Sequence, residues 1–126
     1  MRIVCFIFCF LVLGSCKREP KVSSDMVVGA WEVIGAERNG KATETLNGAY
    51  FEFGDNGTMT SNYLGEDETS LFSVADAMIK QVRPDQSQID FKVEKMAPDT
   101  MILETNIQTI PFRFVMRKIA AEDGSN

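Results

Sequence analysis

The residue types that carry out most protein chemistry are scarce in this sequence. It contains three cysteines and no histidine among 126 residues, so it offers no Ser-His or Cys-His nucleophile pair and no imidazole metal ligand. Cys5 and Cys9 lie in an apolar N-terminal stretch. If that stretch is removed before Cys16, the chain can form neither an internal disulfide nor a multi-thiolate zinc or iron-sulfur site. We therefore expect one domain without catalytic residues, metal or cofactor.

Carboxylates are the remaining candidates for catalysis. A glycosidase uses two of them across one bond, and Glu32, Glu37 and Glu52 are available, but nothing in their spacing selects a pair. The cluster Glu66-Asp67-Glu68 lacks the glycine and the spaced oxygen ligands of an EF-hand calcium loop. The net charge of -5 and the lack of a basic stripe argue against nucleic acid binding. The sequence therefore favours a protein that is not an enzyme.

The N-terminal residues have the order of a secretory signal. Arg2 is followed by the apolar run 3 to 13 and then by the small residues Gly14 and Ser15. As a helix, this run would extend about 16 Å, roughly half of the hydrocarbon core of a bilayer. A permanent transmembrane helix is therefore disfavoured, and residues 1 to 15 are predicted to be a cleaved signal peptide.

The segment Leu13-Gly14-Ser15-Cys16 resembles the lipobox of bacterial lipoproteins at all of its positions. The resemblance implies cleavage between Ser15 and Cys16, a diacylglycerol on the Cys16 thiol and a further acyl chain, such as palmitate, on the new amino group. Two or three chains are enough for lasting membrane attachment. Plain secretion with a free Cys16 is the alternative.

The residues after Cys16 bear on where such a lipoprotein would reside. By resemblance to the sorting rule of enterobacterial lipoproteins, Lys17 suggests the outer membrane. The acidic run that marks surface export in some lipoproteins is absent after Cys16, so we expect the protein to face the periplasm. Residues 16 to 28 have the composition of a flexible tether.

The elements that follow are predicted to be β-strands. Eight short alternating runs, each ended by turn residues, are typical of a sandwich or barrel, and Asn39-Gly40 and Asp55-Asn56-Gly57 supply the turn chemistry. Residues 71 to 82 also satisfy helical spacing, so a short helix is the alternative there. Residues 119 to 126 are predicted to be a disordered tail. The predicted strands are 29–38, 48–54, 57–64, 69–75, 77–82, 88–96, 99–106 and 110–118.

Alternation along these strands separates an apolar face from a polar one, which is typical of an antiparallel sheet with one solvated face. The polar face would carry Glu32, Glu52, Thr58, Thr60, Asn62, Ser73, Asp90, Lys92, Glu94, Glu104, Arg113 and Arg117. The apolar face would carry Trp31, Val33, Phe51, Phe53, Met59, Tyr63, Phe72, Val74, Ile89, Phe91, Val93, Met101, Leu103, Phe112, Phe114 and Met116.

Three pieces of residues 29 to 118 carry a family resemblance: Gly29-Ala30-Trp31, Phe51-Glu52-Phe53 with the turn after it, and Phe114-Val115-Met116-Arg117. The region looks like a lipocalin-like domain of the kind found in Bacteroidetes-like lipoproteins. The resemblance implies an all-β, up-and-down antiparallel barrel of the calycin type, with the tryptophan plugging one end and a basic residue of the last strand beside it. That residue would be Arg117 or Lys118, and Arg117 is assigned to the barrel-end pair with Trp31.

These expectations lead to two functional hypotheses. The first is a non-enzymatic module that binds a small apolar ligand or lipid at one mouth of the barrel, near Tyr63, Met59 and Phe53. However, an eight-stranded barrel is just wide enough to be filled by side chains or to hold one small ligand. Because the large inward candidates go far towards filling it, the second hypothesis is a filled barrel that acts as an interaction or inhibitor module for an envelope protein.

Overall fold

The computed structural model describes residues 20 to 120, which form one short helix and nine strands. The signal peptide, the lipidation site at Cys16 with its cleavage partner Ser15, and most of the predicted C-terminal tail lie outside these described residues. The elements are α1 (Ser24–Val27), β1 (Gly29–Arg38), β2 (Lys41–Ala42), β3 (Tyr50–Phe53), β4 (Thr58–Ser61), β5 (Glu68–Ala75), β6 (Met78–Val82), β7 (Gln88–Met96), β8 (Thr100–Ile107) and β9 (Ile110–Lys118).

The strands close into an up-and-down antiparallel barrel. From β3 to β9, consecutive strands pair with each other. β1 pairs with β3 on one side and, along most of its length, with β9 on the other, which closes the barrel. The two-residue β2 only extends the hairpin at the end of β1. The predicted all-β barrel of eight short strands is therefore confirmed.

The ambiguous segment 71 to 82 forms strands and not a helix. β5 and β6 pair in register from Leu71–Val82 to Ala75–Met78. Asp76 and Ala77 connect them with positive φ angles of 51° and 58°, which is the conformation of a two-residue hairpin turn. Cross-strand pairing thus overrides the helical spacing that these residues also satisfy.

The inside of the barrel is packed with the predicted apolar face. Thirteen of the sixteen predicted residues are buried, and Val74, Ile89 and Phe112 are partly buried against them. The Phe51 ring lies 5.0 Å from Tyr63 and 5.7 Å from both Phe91 and Phe114, measured between ring centroids. These distances are those of direct aromatic packing, so the centre of the barrel is filled.

One end of the barrel, here called the α1 end, is covered by α1 and carries the turns at 54–57, 76–77 and 97–99. The residues before β1 differ from the predicted flexible tether, since Ser24–Val27 form a helical turn and Val27 is fully buried. Trp31 Nε1 donates a hydrogen bond to the Val27 carbonyl over 2.9 Å. This contact with the core explains why the tether prediction fails at its C-terminal end.

The opposite end, here called the far end, carries the turns at 62–67, 83–87 and 108–109. There the strands divide. β1 pairs with β3 only from Gly29 to Glu32, and the ladder between β7 and β8 stops at the Lys92–Glu104 pair. Beyond that pair, the Thr105 hydroxyl donates to the Asp90 carbonyl over 2.7 Å. A side-chain hydrogen bond therefore connects β7 and β8 where their ladder has ended.

Candidate functional site

The three residues predicted to line a ligand mouth are core residues instead. Tyr63, Met59 and Phe53 are 5%, 1% and 1% exposed. The Phe53 ring packs edge-on against Phe72 at 5.0 Å. Tyr63 is held inward because the preceding Asn62 side chain accepts a hydrogen bond from the Tyr50 backbone N–H over 2.8 Å. The prediction of a mouth at these residues is therefore corrected.

A polar cluster inside the barrel was missed by the sequence analysis. The Tyr63 hydroxyl donates to Gln81 Oε1 over 2.6 Å, and Gln81 Nε2 donates to Ser70 Oγ over 3.0 Å. Burial raises the pKa of the Tyr63 hydroxyl. The only sequence signal was position, since Gln81 and Ser70 lie two residues from the inward Ile79 and Phe72. Within residues 20 to 120, every buried side-chain nitrogen or oxygen has a partner, so this cluster is already satisfied.

An ion pair lies next to the polar cluster at the far end. Arg83 Nε and Nη2 donate to the two carboxylate oxygens of Glu68 over 2.8 and 2.9 Å. These hydrogen bonds lower the pKa of Glu68 and raise that of Arg83. The bidentate geometry ties β5 to the turn after β6, which is a structural role.

The basic residue beside Trp31 is Lys118 and not Arg117. Lys118 Nζ lies 5.4 Å from the centre of the Trp31 ring, whereas Arg117 is directed outward and donates to Glu32 over 2.6 Å. Gly29, with a φ of +131°, makes room, since a Cβ there would lie 2.8 Å from Lys118 Cε. The assignment of Arg117 to the barrel-end pair is corrected, because alternation after Phe114 and Met116 turns residue 118 inward.

The outer surface carries a charged groove near the far end, with a volume of about 530 Å³. Arg113 crosses it, with Nε 3.3 Å from both carboxylate oxygens of Glu94 and Nη1 3.9 Å from Glu37 Oε2. A hydrogen bond to Glu94, together with partial burial and repulsion from the same carboxylate, raises the pKa of Glu104. One arginine thus serves two carboxylates, and the groove lining as a whole carries three acids, Glu37, Asp90 and Glu104, and two bases, Lys92 and Arg113.

An apolar row runs directly beside this groove. Val115 is paired with Gly35 on β1 and with Ile102 on β8, and Ile34, in the β-bulge of β1, adds to the row. Ile34 is half exposed, and the other two side chains are partly exposed. We call the combined surface the β8–β9 face, and its members are Ile34, Glu37, Ile102, Glu104, Arg113 and Val115.

The side chains that could bind a metal are dispersed over residues 20 to 120. No three side chains from His, Cys, Asp and Glu come together there as a possible metal-binding group. In the same part of the chain, no helix is long and apolar enough to cross a bilayer. Glu32 and Glu52, two of the carboxylates weighed for catalysis, lie on the outer side of the barrel.

Comparison with solved structures identifies the architecture. A crystal structure of a lipocalin-like protein from Bacteroides uniformis matches with a TM-score of 0.57 and 15% sequence identity, over 75% of this chain and 99% of that one. The fold is lipocalin-like. An uncharacterized protein from Bacteroides eggerthii matches equally well, with a TM-score of 0.57 and 18% identity over 74% of this chain and 99% of that one. No protein-family model and no curated protein sequence matches the chain.

Proposed function

We propose that this lipocalin-like protein is a non-enzymatic interaction module of the cell envelope, anchored in the membrane by lipid on Cys16. In this proposal the barrel is a rigid scaffold, and a partner protein binds its outer surface. The observation that carries the proposal is the filled interior. It favours the second hypothesis from the sequence over an internal site for a small apolar ligand.

Packing at the centre of the barrel argues against a ligand there. Phe51, Phe91 and Phe114 are fully buried, and the centroids of the last two rings are 6.4 Å apart. A lipid chain inside would have to displace such rings, and forcing extra groups into a close-packed core typically costs about 1–3 kcal/mol. An apolar ligand would gain affinity only after offsetting that cost.

The β8–β9 face is the best candidate for partner binding. It places an apolar row beside charged groups, and protein interfaces commonly combine an apolar centre with a polar rim. Arg113 and the carboxylates around it would supply directional contacts at that rim. Leu71, on β5 in the opposite wall of the barrel, is a matched control for Ile34, because the two side chains are exposed to a similar extent, 59% and 50%.

The interaction is tested by placing a photo-crosslinking amino acid at Ile34 and, as the control, at Leu71, in the full-length protein in intact cells. We expect a crosslinked envelope protein at position 34 and none at position 71. Substitution of Arg113 by Ala should reduce the crosslink at 34. No crosslink at either position, or equal crosslinks at both, would count against the proposed surface.

The filled barrel is tested by native mass spectrometry of the purified protein. We expect the mass of the chain with its covalent acyl groups and no further bound lipid. A non-covalent lipid that remains bound in Cys16→Ser would support the small-ligand hypothesis instead.

Lipid anchoring at Cys16 is tested in a separate experiment. Cys16→Ser should remove the acyl mass and move the protein from the membrane fraction to the soluble fraction. Outer-membrane residence on the periplasmic side predicts that the wild-type protein co-fractionates with outer membranes and resists protease added to whole cells. An unchanged membrane fraction for Cys16→Ser would refute the anchor.

A further inference from the structure

The position of Pro20 determines which end of the barrel faces the anchor. Pro20 lines a groove with Val22, Met26 and Ala77, so the chain enters the described structure at the α1 end. Only residues 17 to 19 separate Pro20 from Cys16. A fully extended chain covers at most about 3.6 Å per residue, so Cys16 lies within about 14 Å of Pro20. This limit is shorter than half a bilayer.

The α1 end carries an apolar surface at this position. Met26 and Ile119 are 45% and 42% exposed. Met26 and Pro98 line one groove, and Pro98 and Ile119 line the adjacent one. The two grooves share Pro98 and Lys118. The apolar side chains therefore form one continuous surface, here called the α1 surface, made of Met26, Pro98 and Ile119.

The charges around the α1 surface indicate what kind of contact it makes. Lys21 and Lys118 are accompanied by Asp25, Glu52, Asp76 and Asp99 along the same three grooves. Because acids outnumber bases there, attraction to anionic headgroups is not the driving force. Burial of the apolar side chains is the remaining source of affinity.

We propose that the α1 surface binds the lipid bilayer directly, with Met26 and Ile119 entering the interfacial layer. This inference rests on the proposed anchor at Cys16, which holds the α1 end close to the membrane. The far end and its turns then face away from the bilayer. The β8–β9 face lies on the barrel wall, where a partner can reach it.

The test uses the full-length, lipidated protein in phosphatidylcholine vesicles. Because lipid occupies the Cys16 thiol, an introduced cysteine is the only free thiol of the mature chain. Met26→Cys and Ile119→Cys carry an environment-sensitive fluorophore, and Leu64→Cys, at an exposed apolar position of the far end, is the control. Trp31 fluorescence checks that each variant is folded.

We expect iodide quenching at positions 26 and 119 to be lower than at position 64 by about half or more, since interfacial side chains lie about 5–10 Å deep. Brominated lipids should quench the labels at 26 and 119 and not the label at 64. Anionic lipid added to the vesicles should leave this pattern unchanged.

Two results would overturn the inference while the anchor stands. In the first, the protein floats with the vesicles but iodide quenches all three labels equally. In the second, iodide is excluded at 26 and 119 without quenching by brominated lipid, which would mean that protein covers the surface. Failure of the proposed anchor gives a different result, because the protein would then lack acyl mass and would not float with the vesicles. In that case the inference would fail as well.

Discussion

The two ends of this barrel are closed by different kinds of interaction. At the α1 end, Trp31 is fully buried beneath α1, and its indole N–H and ring face are both occupied, by the Val27 carbonyl and by Lys118. At the far end the ladder between β7 and β8 is interrupted, and side-chain hydrogen bonds take over, as Thr105 does with Asp90.

Because the interactions differ, each end loses stability through a different kind of change. Apolar packing loses stability when volume is removed, and it has little dependence on pH. Buried polar contacts lose stability when one partner is deleted or changes protonation. We therefore expect the α1 end to respond to cavity-forming substitutions, and the far end to respond to isosteric polar substitutions and to pH.

Removal of the Trp31 side chain should have the largest effect. Trp31→Ala leaves a cavity at the α1 end and should lower the free energy of unfolding by about 3–5 kcal/mol. Urea denaturation followed by circular dichroism measures this, because the substitution removes the only tryptophan. Leu71→Ala, at an exposed position, is the control, and similar losses for both variants would contradict a packed α1 end.

Tyr63→Phe tests the far end with almost no change in volume. It leaves the Gln81 side-chain oxygen without its donor, and we expect a loss of about 1–3 kcal/mol. Tyr50→Phe is the matched control, since the Tyr50 hydroxyl bonds to Asp67 at the surface over 3.1 Å. Combining Tyr63→Phe with Gln81→Leu should cost less than the sum of the two single changes. Additive losses would argue against a coupled polar cluster.

The raised pKa of Tyr63 predicts how the stability of the fold changes at alkaline pH. Burial raises the pKa of Tyr63 in the folded state, whereas an unfolded tyrosine titrates near about 10. The folded state thus retains a proton that the unfolded state releases, so the stabilisation is complete below about pH 10 and declines above it. Urea midpoints of the wild type should fall above that pH more steeply than those of Tyr63→Phe. Parallel curves would contradict this cause.

The apolar interior was predictable from the sequence because its signal is local. Period-two alternation marks a strand with one buried face wherever the strand lies in the barrel, and the Asp55-Asn56-Gly57 turn marks the hairpin between β3 and β4. For the buried polar cluster, alternation places Gln81 and Ser70 on the inward face but does not show which side chains they meet there. Gln81 on β6 bonds to Tyr63, in the turn after β4, and to Ser70 on β5, and that meeting depends on tertiary register.

Two other errors have identifiable causes. α1 has four residues, which is too short for a helical period to show, and it is ordered by its contact with Trp31. The choice of Arg117 as the partner of Trp31 conflicted with the alternation that already placed Arg117 on the polar face. Strand alternation predicts the correct residue, since it turns Lys118 inward.

The Glu68–Arg83 pair predicts a smaller effect at acid pH. Arg83 lowers the pKa of Glu68 from its ordinary value near 4.5, so the pair stabilises the fold above that pH and the contribution is lost as pH falls through the folded pKa. At neutral pH, Glu68→Gln should cost at most about 1 kcal/mol, because both side chains are partly exposed. Glu66→Gln is the control in an adjacent turn. An unchanged difference between wild type and Glu68→Gln from neutral to acid pH would exclude this linkage.

The adjacent basic residues Lys118 and Arg117 allow a test of which side chain packs on Trp31 at the α1 end, and the expected effects are the smallest. Lys118→Ala removes the ammonium over the Trp31 ring and should cost about 0.5–1 kcal/mol. Arg117→Ala breaks only an exposed pair with Glu32, whose side chains are 59% and 42% exposed, so its cost should stay below about 0.5 kcal/mol. Trp31 fluorescence should change in Lys118→Ala and not in Arg117→Ala. If Arg117→Ala alone altered the tryptophan spectrum, Arg117 would be the residue that completes the closure of this end.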